Sequence, residues 1–304
     1  METKKTLNVT LWLVAIGLFM QTLDTTIVNT ALPAMAQSLG ESPLRMQSVV
    51  ISYALTMAVL IPASGWLADR FGTRKVYFTA IVFFTLGSLL CAASQSLGQL
   101  VASRVIQGAG GAMLMPVGRL TILRSFPQHR LLPALSFVAI PAMVGPMIGP
   151  VLGGWLSEQL SWHWVFLINI PVGIVGAIAT RTYLIDKRND ERAPFDGVGY
   201  GLLAFGMAAI SLALDGLSHR AMSHAPIVLM LVFGLISIVT YWIRATRQAN
   251  PLFSPALFRI HTFSIGLLGS LFARLGSSGM PFLLPLLLQV SLGYSPTHAG
   301  LMML

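Results

Sequence analysis

The chain has 304 residues, of which 55% are hydrophobic and 10% charged, and its mean hydropathy is +0.76. A soluble domain carries about 25% charged residues, so this composition excludes water as the main solvent. The formal charge of +9 needs explaining, and its placement along the chain gives no reason to expect a nucleic-acid partner.

Apolar stretches of roughly 18–25 residues, each able to cross ~30 Å of hydrocarbon, recur at 11–33, 46–68, 76–94, 98–123, 132–157, 163–183, 198–215, 225–243 and 262–290. A tenth begins near Thr297 and stops at Leu304. The expected fold is an all-α integral membrane bundle whose first partner is the lipid bilayer. Basic residues cluster in alternate connections: Lys4 and Lys5; Arg70, Arg74 and Lys75; Arg124 and Arg130; Arg181, Lys187, Arg188 and Arg192; Arg244, Arg247 and Arg259. The intervening connections hold only Arg45 and Arg220. By the positive-inside rule the basic side and the N-terminus face the cytoplasm.

The first span reads FMQTLDTTIVNTALP at 19–33. Its basic start and Ala34-Met35-Ala36 imitate a secretory signal, but the apolar run exceeds the usual ~7–15 residues and no cleavage is expected. Asp24 is the one acid read inside a span, roughly 13 Å inward from Pro33 at helical rise. Gln21, on the same helix, is assigned to a substrate path. The connection GWLADRFGTRK at 65–75 places Asp69 after a helix end and Arg74 and Lys75 before a helix start, each against its own helix dipole. Topology accounts for the basic residues and leaves Asp69 unexplained. Gly65, Asp69, Arg70, Gly72 and Arg74 are therefore assigned to a latch, in which Asp69 caps a neighbouring helix in one conformation only. The single cysteine, Cys91, is read as lying mid-span in the third span, and with one cysteine no intramolecular disulfide can form.

In the fourth span, Arg104, Gly108, Gly111, Met115 and Arg119 share one helical face, suited to close packing or to a cavity wall. GAGGAM at 108–113 imitates a phosphate-binding loop but lacks the following Lys-Ser/Thr and a preceding strand. Charges inside a span cost ~2.5–3.5 kcal/mol each and point to function. At similar depths, Asp24 and Arg104 can pair. A carboxylate whose arginine partner comes and goes can take up and release a proton; a static brace between two helices is the alternative. Arg119, near the cytoplasmic end, has the length to snorkel. Arg274, near the middle of the ninth span, is a candidate for the substrate path together with Gln21 and Gly108. In the fifth span Gly145, Gly149 and Gly153 recur every four residues, with Gly154 beside them. This stripe permits helix contact at the backbone, and Pro146 and Pro150 favour a bend. The six histidines show no metal spacing; His219 and His224 read as solvated. No nucleotide site, metal or other cofactor is expected, and the chain does not read as an enzyme. Work on a small-molecule solute must then draw on an ion gradient.

These segments resemble the major facilitator superfamily, within it the fourteen-span drug:proton antiporters. LDTTIVNTALP is similar to that family's first-helix motif, GWLADRFGTRK to its cytoplasmic loop motif, RVIQGAGGAM to its fourth-helix motif and GPMIGPVLGG, at 145–154, to its antiporter motif. SWHWVFLINIPVG at 161–173 resembles its sixth-helix signature, with His163 where arginine is more usual. The resemblance implies a six-helix transporter half at 1–190, two inserted helices within 191–250 and the start of a second half at 251–304. It also implies inverted repeats that set Asp24 and Arg104 beside a central cavity, and a missing C-terminal half that transport requires. The expectation is a truncated proton-coupled exporter of the bacterial inner membrane. The alternatives are an exporter of an anionic metabolite or metal chelate, a non-transporting membrane protein, and a non-functional remnant.

Overall fold

The structure is a computed structural model that describes residues 2–186, 194–218, 224–277 and 280–303. Lys187, Arg188, Arg192, His219 and Arg220 lie outside the described residues. A backbone in hydrocarbon must satisfy its own polar groups, and the chain does so with helices: α1 (Glu2–Leu39), α2 (Gln47–Leu60), α3 (Ser64–Phe71), α4 (Thr73–Ala92), α5 (Leu97–Ser125), α6 (Gln128–Gln159), α7 (Trp164–Leu167), α8 (Asn169–Tyr183), α9 (Gly197–Ser218), α10 (His224–Ala245), α11 (His261–Ser277), α12 (Met280–Leu286) and α13 (Pro296–Leu301). A 3-10 turn at Ile61–Ala63 joins α2 to α3. Among the described residues, nine helical runs are long and apolar enough to cross a membrane, at the places the hydropathy pattern predicts.

Several boundaries differ from expectation. Helix α1 continues through Pro33 to Leu39 instead of ending at the proline. Met35 and Ala36 are buried in the core, and that packing outweighs the one backbone donor proline lacks. The cleavage-like Ala34-Met35-Ala36 is therefore helix interior. The run ending at Phe71 includes Asp69, α6 reaches Glu158 and α9 includes Asp215, so Asp24 is not the only acid on a spanning helix. Cys91 stands in the last turn of α4 rather than mid-span.

Helix α1 packs along α6, α5 lies between α4 and α2, and α8 closes against α4. Gly110 of α5 faces the Phe84 amide and Ala80 carbonyl of α4, and Gly87 of α4 faces the backbone of Gln107. These small residues bring α4 and α5 to backbone contact, where dispersion and shape fit hold membrane helices together. One core cluster joins Tyr77, Phe84 and Leu114; another joins Ile27, Val49, Leu100 and Phe166; a third joins Val14, Leu18 and Val138. Helices α9 and α10 pair through Gly206 and Gly234, and α9 rests on α2.

The basic connections meet at one end of the bundle. Asp69 forms an ion pair with Arg124, the Arg74 amide donates to Asp186 Oδ1 at 3.3 Å, Trp66 packs on Phe195, and Arg244 pairs with Asp196 at 2.8 Å. Replacing Gly110 with valine places a branched side chain on α4 backbone that cannot yield. The expected loss is at least the ~1–3 kcal/mol typical of overpacking, read as a lower melting temperature of the detergent-solubilised protein beside wild type.

Candidate functional site

The middle of the bundle holds a closed polar network. Asp24 of α1 and Arg104 of α5 are 0% and 1% exposed, and Arg104 Nη1 donates to Asp24 Oδ2 at 2.7 Å. Arg104 Nη1 also donates to Gln107 Oε1 at 2.6 Å, and its Nε donates to the Val49 carbonyl at 3.3 Å. The guanidinium lies 4.1 Å from the centre of the Tyr53 ring, a cation–π contact strengthened by the absence of water.

The other carboxylate oxygen has its own donors. Gln107 Nε2 donates to Asp24 Oδ1 at 2.8 Å and to Ser88 Oγ at 2.7 Å. Asn169 Nδ2 donates to the same Oδ1 at 3.3 Å and to Ser88 Oγ at 3.2 Å. Cys91 Sγ reaches Gln107 Oε1 at 3.7 Å. Five spans thus contribute: α1, α2, α4, α5 and α8. Gln107, Ser88, Asn169 and Tyr53 were not foreseen. Gln107 follows Arg104 by three residues and shares its helical face, a signal available in the sequence; Ser88 and Asn169 gave none.

Asp24 is about 22 Å from the C-terminal end of α1 at helical rise, and Arg104 about 10 Å from the start of α5. They meet because α1 projects six residues beyond Pro33. Gly108 faces the Tyr53 carbonyl and Thr56, and Gly111 faces the Tyr53 hydroxyl and Met57, so this face of α5 is close-packed on α2. Gln21 is buried and donates from Nε2 to Met57 Sδ at 3.5 Å. Met115 is half-buried and Arg119 exposed, the placement snorkelling requires. Arg274 is exposed and stands near the middle of the run His261–Ser291.

The glycine stripe has two faces. Gly145, Gly149 and Gly153 abut Thr22, Thr26 and Ile27 of α1, while Gly154 abuts Pro296 and Thr297, and Pro150 abuts Gly300. Helix α6 runs unbroken through Pro146 and Pro150. In the latch segment Gly65 and Arg70 are exposed, and Asp69 holds Arg124 of α5. Gly72 has φ 92° and no room for a side chain beside the Asp186 carboxylate. The Asp186 carboxylate supplies negative charge to the start of α4. His163 Nδ1 lies 2.6 Å from Ser161 Oγ, and its ring stacks on Trp162 at 3.7 Å.

Residues 14–304 match the sequence profile of the Major Facilitator Superfamily. The chain belongs to that superfamily. It is 56% identical over 295 residues to "Putative multidrug resistance protein MdtD" of Pectobacterium carotovorum subsp. carotovorum (strain PC1), covering 96% of this chain and 63% of that protein. It is 55% identical to the protein of the same name from Serratia proteamaculans (strain 568), covering 97% and 61%. The chain thus spans about three-fifths of the length of these curated relatives. Its fold resembles the crystal structure of a D-xylose–proton symporter, with a TM-score of 0.61 at 14% identity over 96% of this chain and 64% of that one. A peptide transporter crystallised with sulfate gives a TM-score of 0.59 at 15% identity, over 79% and 53%. The fold is a helical bundle of the major facilitator type in a multi-pass membrane protein. The non-enzymatic reading agrees with these comparisons, whose proteins are named for transport or resistance.

Removing one partner of a buried ion pair strands the other charge and costs about 3–5 kcal/mol. Arg104→Gln is expected to destabilise the solubilised protein by that order in chemical denaturation. Adding Asp24→Asn to it recovers part of the loss, because the stranded carboxylate is then removed.

Proposed function

We propose that this chain carries the first half, the inserted pair and the start of the second half of a proton-coupled exporter of small molecules, an antiporter of the bacterial inner membrane. In this reading the N-terminus is cytoplasmic, the divisions are 1–190, 191–250 and 251–304, and a complete second six-helix half is needed for transport. The relatives' multidrug resistance name supports export of diverse compounds. The proton gradient is the energy source, with no cofactor. About 2.3 kcal/mol per charge at 100 mV sustains roughly a 45-fold solute gradient.

The observation that carries this reading is the buried Asp24–Arg104 pair, together with the alternative partners each group already has. A proton added to Asp24 Oδ2 replaces the bond from Arg104, while Oδ1 keeps its donors Gln107 and Asn169. Arg104 keeps Gln107 Oε1, the Val49 carbonyl and the Tyr53 ring. The carboxyl and the guanidinium thus each keep hydrogen-bond partners after the bond between them is given up. The pair changes from neutral to a net charge of +1, so a bound proton and a cationic substrate nearby oppose one another. Arg104 is matched by Asp24, so among the described residues this buried pair adds no net charge of its own before a proton binds.

The test is ethidium-driven proton release from everted vesicles containing the transporter with its second half, wild type beside Asp24→Asn. The expected outcome is loss of coupled proton release at equal protein in the membrane. Normal coupling in the asparagine variant removes Asp24 from the role.

A further inference from the structure

A groove of about 450 Å³ opens on the surface of the bundle, away from the buried pair, where α2–α3, α4 and α5 meet. Leu60, Leu67, Phe71, Phe83 and Met113 form its walls, and Lys75 stands in its lining. The groove lies beside a bend: Leu60 and Leu67 flank the 3-10 turn Ile61–Ala63 that interrupts the second span. Lys75, Thr79 and Phe83 follow one another at four-residue intervals along α4 and are all exposed. Lys75 to Phe83 is about 12 Å at helical rise, close to the ~15 Å depth of one bilayer leaflet.

The charge at the head of this groove is not paired among the described residues. Among the described residues Lys75 has no ion-pair partner. The nearby acids are engaged elsewhere, Asp69 on Arg124 and Asp186 on the Arg74 amide. Arg70, also exposed, adds a second cation at the same end of the bundle. No carboxylate lines the groove. An ammonium above an apolar slot one leaflet deep complements a lipid with a negative phosphate and an acyl chain.

We propose that this groove is a binding site for one anionic phospholipid, its phosphate at Lys75 and one acyl chain laid along Thr79 towards Phe83 and Met113. The lipid fills the space beside the bend at Pro62 and joins the end of the second span to the third and fourth. The assignment of this end to the cytoplasmic leaflet rests on the proposed topology; the site itself does not, and it is independent of proton coupling.

Native mass spectrometry of the detergent-solubilised chain, given equal amounts of palmitoyl-oleoyl phosphatidylglycerol and phosphatidylcholine, tests the site. Wild type is expected to retain one phosphatidylglycerol in preference to phosphatidylcholine. Lys75→Gln is expected to lower that preference about fivefold, the effect of one cation near an anionic headgroup. Thr79→Trp, which fills the groove, is expected to reduce retention of the lipid. Arg130→Gln, a basic residue away from the groove, leaves it unchanged. Each variant's melting temperature controls for folding. Equal retention of the two lipids by wild type, or an undiminished preference in Lys75→Gln, overturns the proposal.

Discussion

A charge in hydrocarbon has to be paired, and in this bundle one pair fixes the arrangement of much else. Asp24 and Arg104 are out of contact with water, and every lone pair or donor left over needs a protein partner. Gln107, Asn169 and Ser88 meet that need, and they come from three different spans. The α1, α4, α5 and α8 helices are thereby held in one register inside the bundle. Apolar packing alone specifies register weakly in lipid, where the tails are as apolar as leucine.

Small residues make this arrangement reachable. Side chains as short as those of Asp24, Ser88 and Asn169 can share hydrogen bonds only if their helices nearly touch. Gly87 and Gly110 let α4 and α5 approach, and Gly145, Gly149 and Gly153 let α6 lie along α1. The same helix offers its other face, at Gly154 and Pro150, to residues 296–300. Helix α6 is therefore in contact at once with the helix that carries Asp24 and with α13. A shift of one can be felt by the other through packed backbone, with no long side chain to absorb it.

The end of the bundle rich in basic residues follows a different logic. There, single acids organise several cations: Asp69 takes Arg124, Asp196 takes Arg244, and Asp186 sits over the first turn of α4. The loop aspartate looked unexplained because its partner lies 55 residues away at the end of another helix. Its neighbour Lys75 is left exposed at the head of a surface groove.

Composition and hydropathy determined by themselves that this is a helical membrane protein with nine spanning runs, because the thickness of hydrocarbon sets a length that can be counted along a chain. Ordered motifs gave the superfamily, and the rarity of charge in oil singled out Asp24 and Arg104. Helical periodicity also placed Arg104 and Gly108 on one face. It could not say whether that face meets water or another helix, since periodicity describes a helix's own surface and nothing of its neighbour. Only the tertiary structure decided that Gly108 and Gly111 are sealed by α2, that α1 runs on past Pro33, that Asp186 serves the start of α4, and that Ser88 and Asn169 complete the buried site. Those choices depend on which helices touch and at what height, and contacts between residues 80 to 145 positions apart leave no local trace in a single sequence.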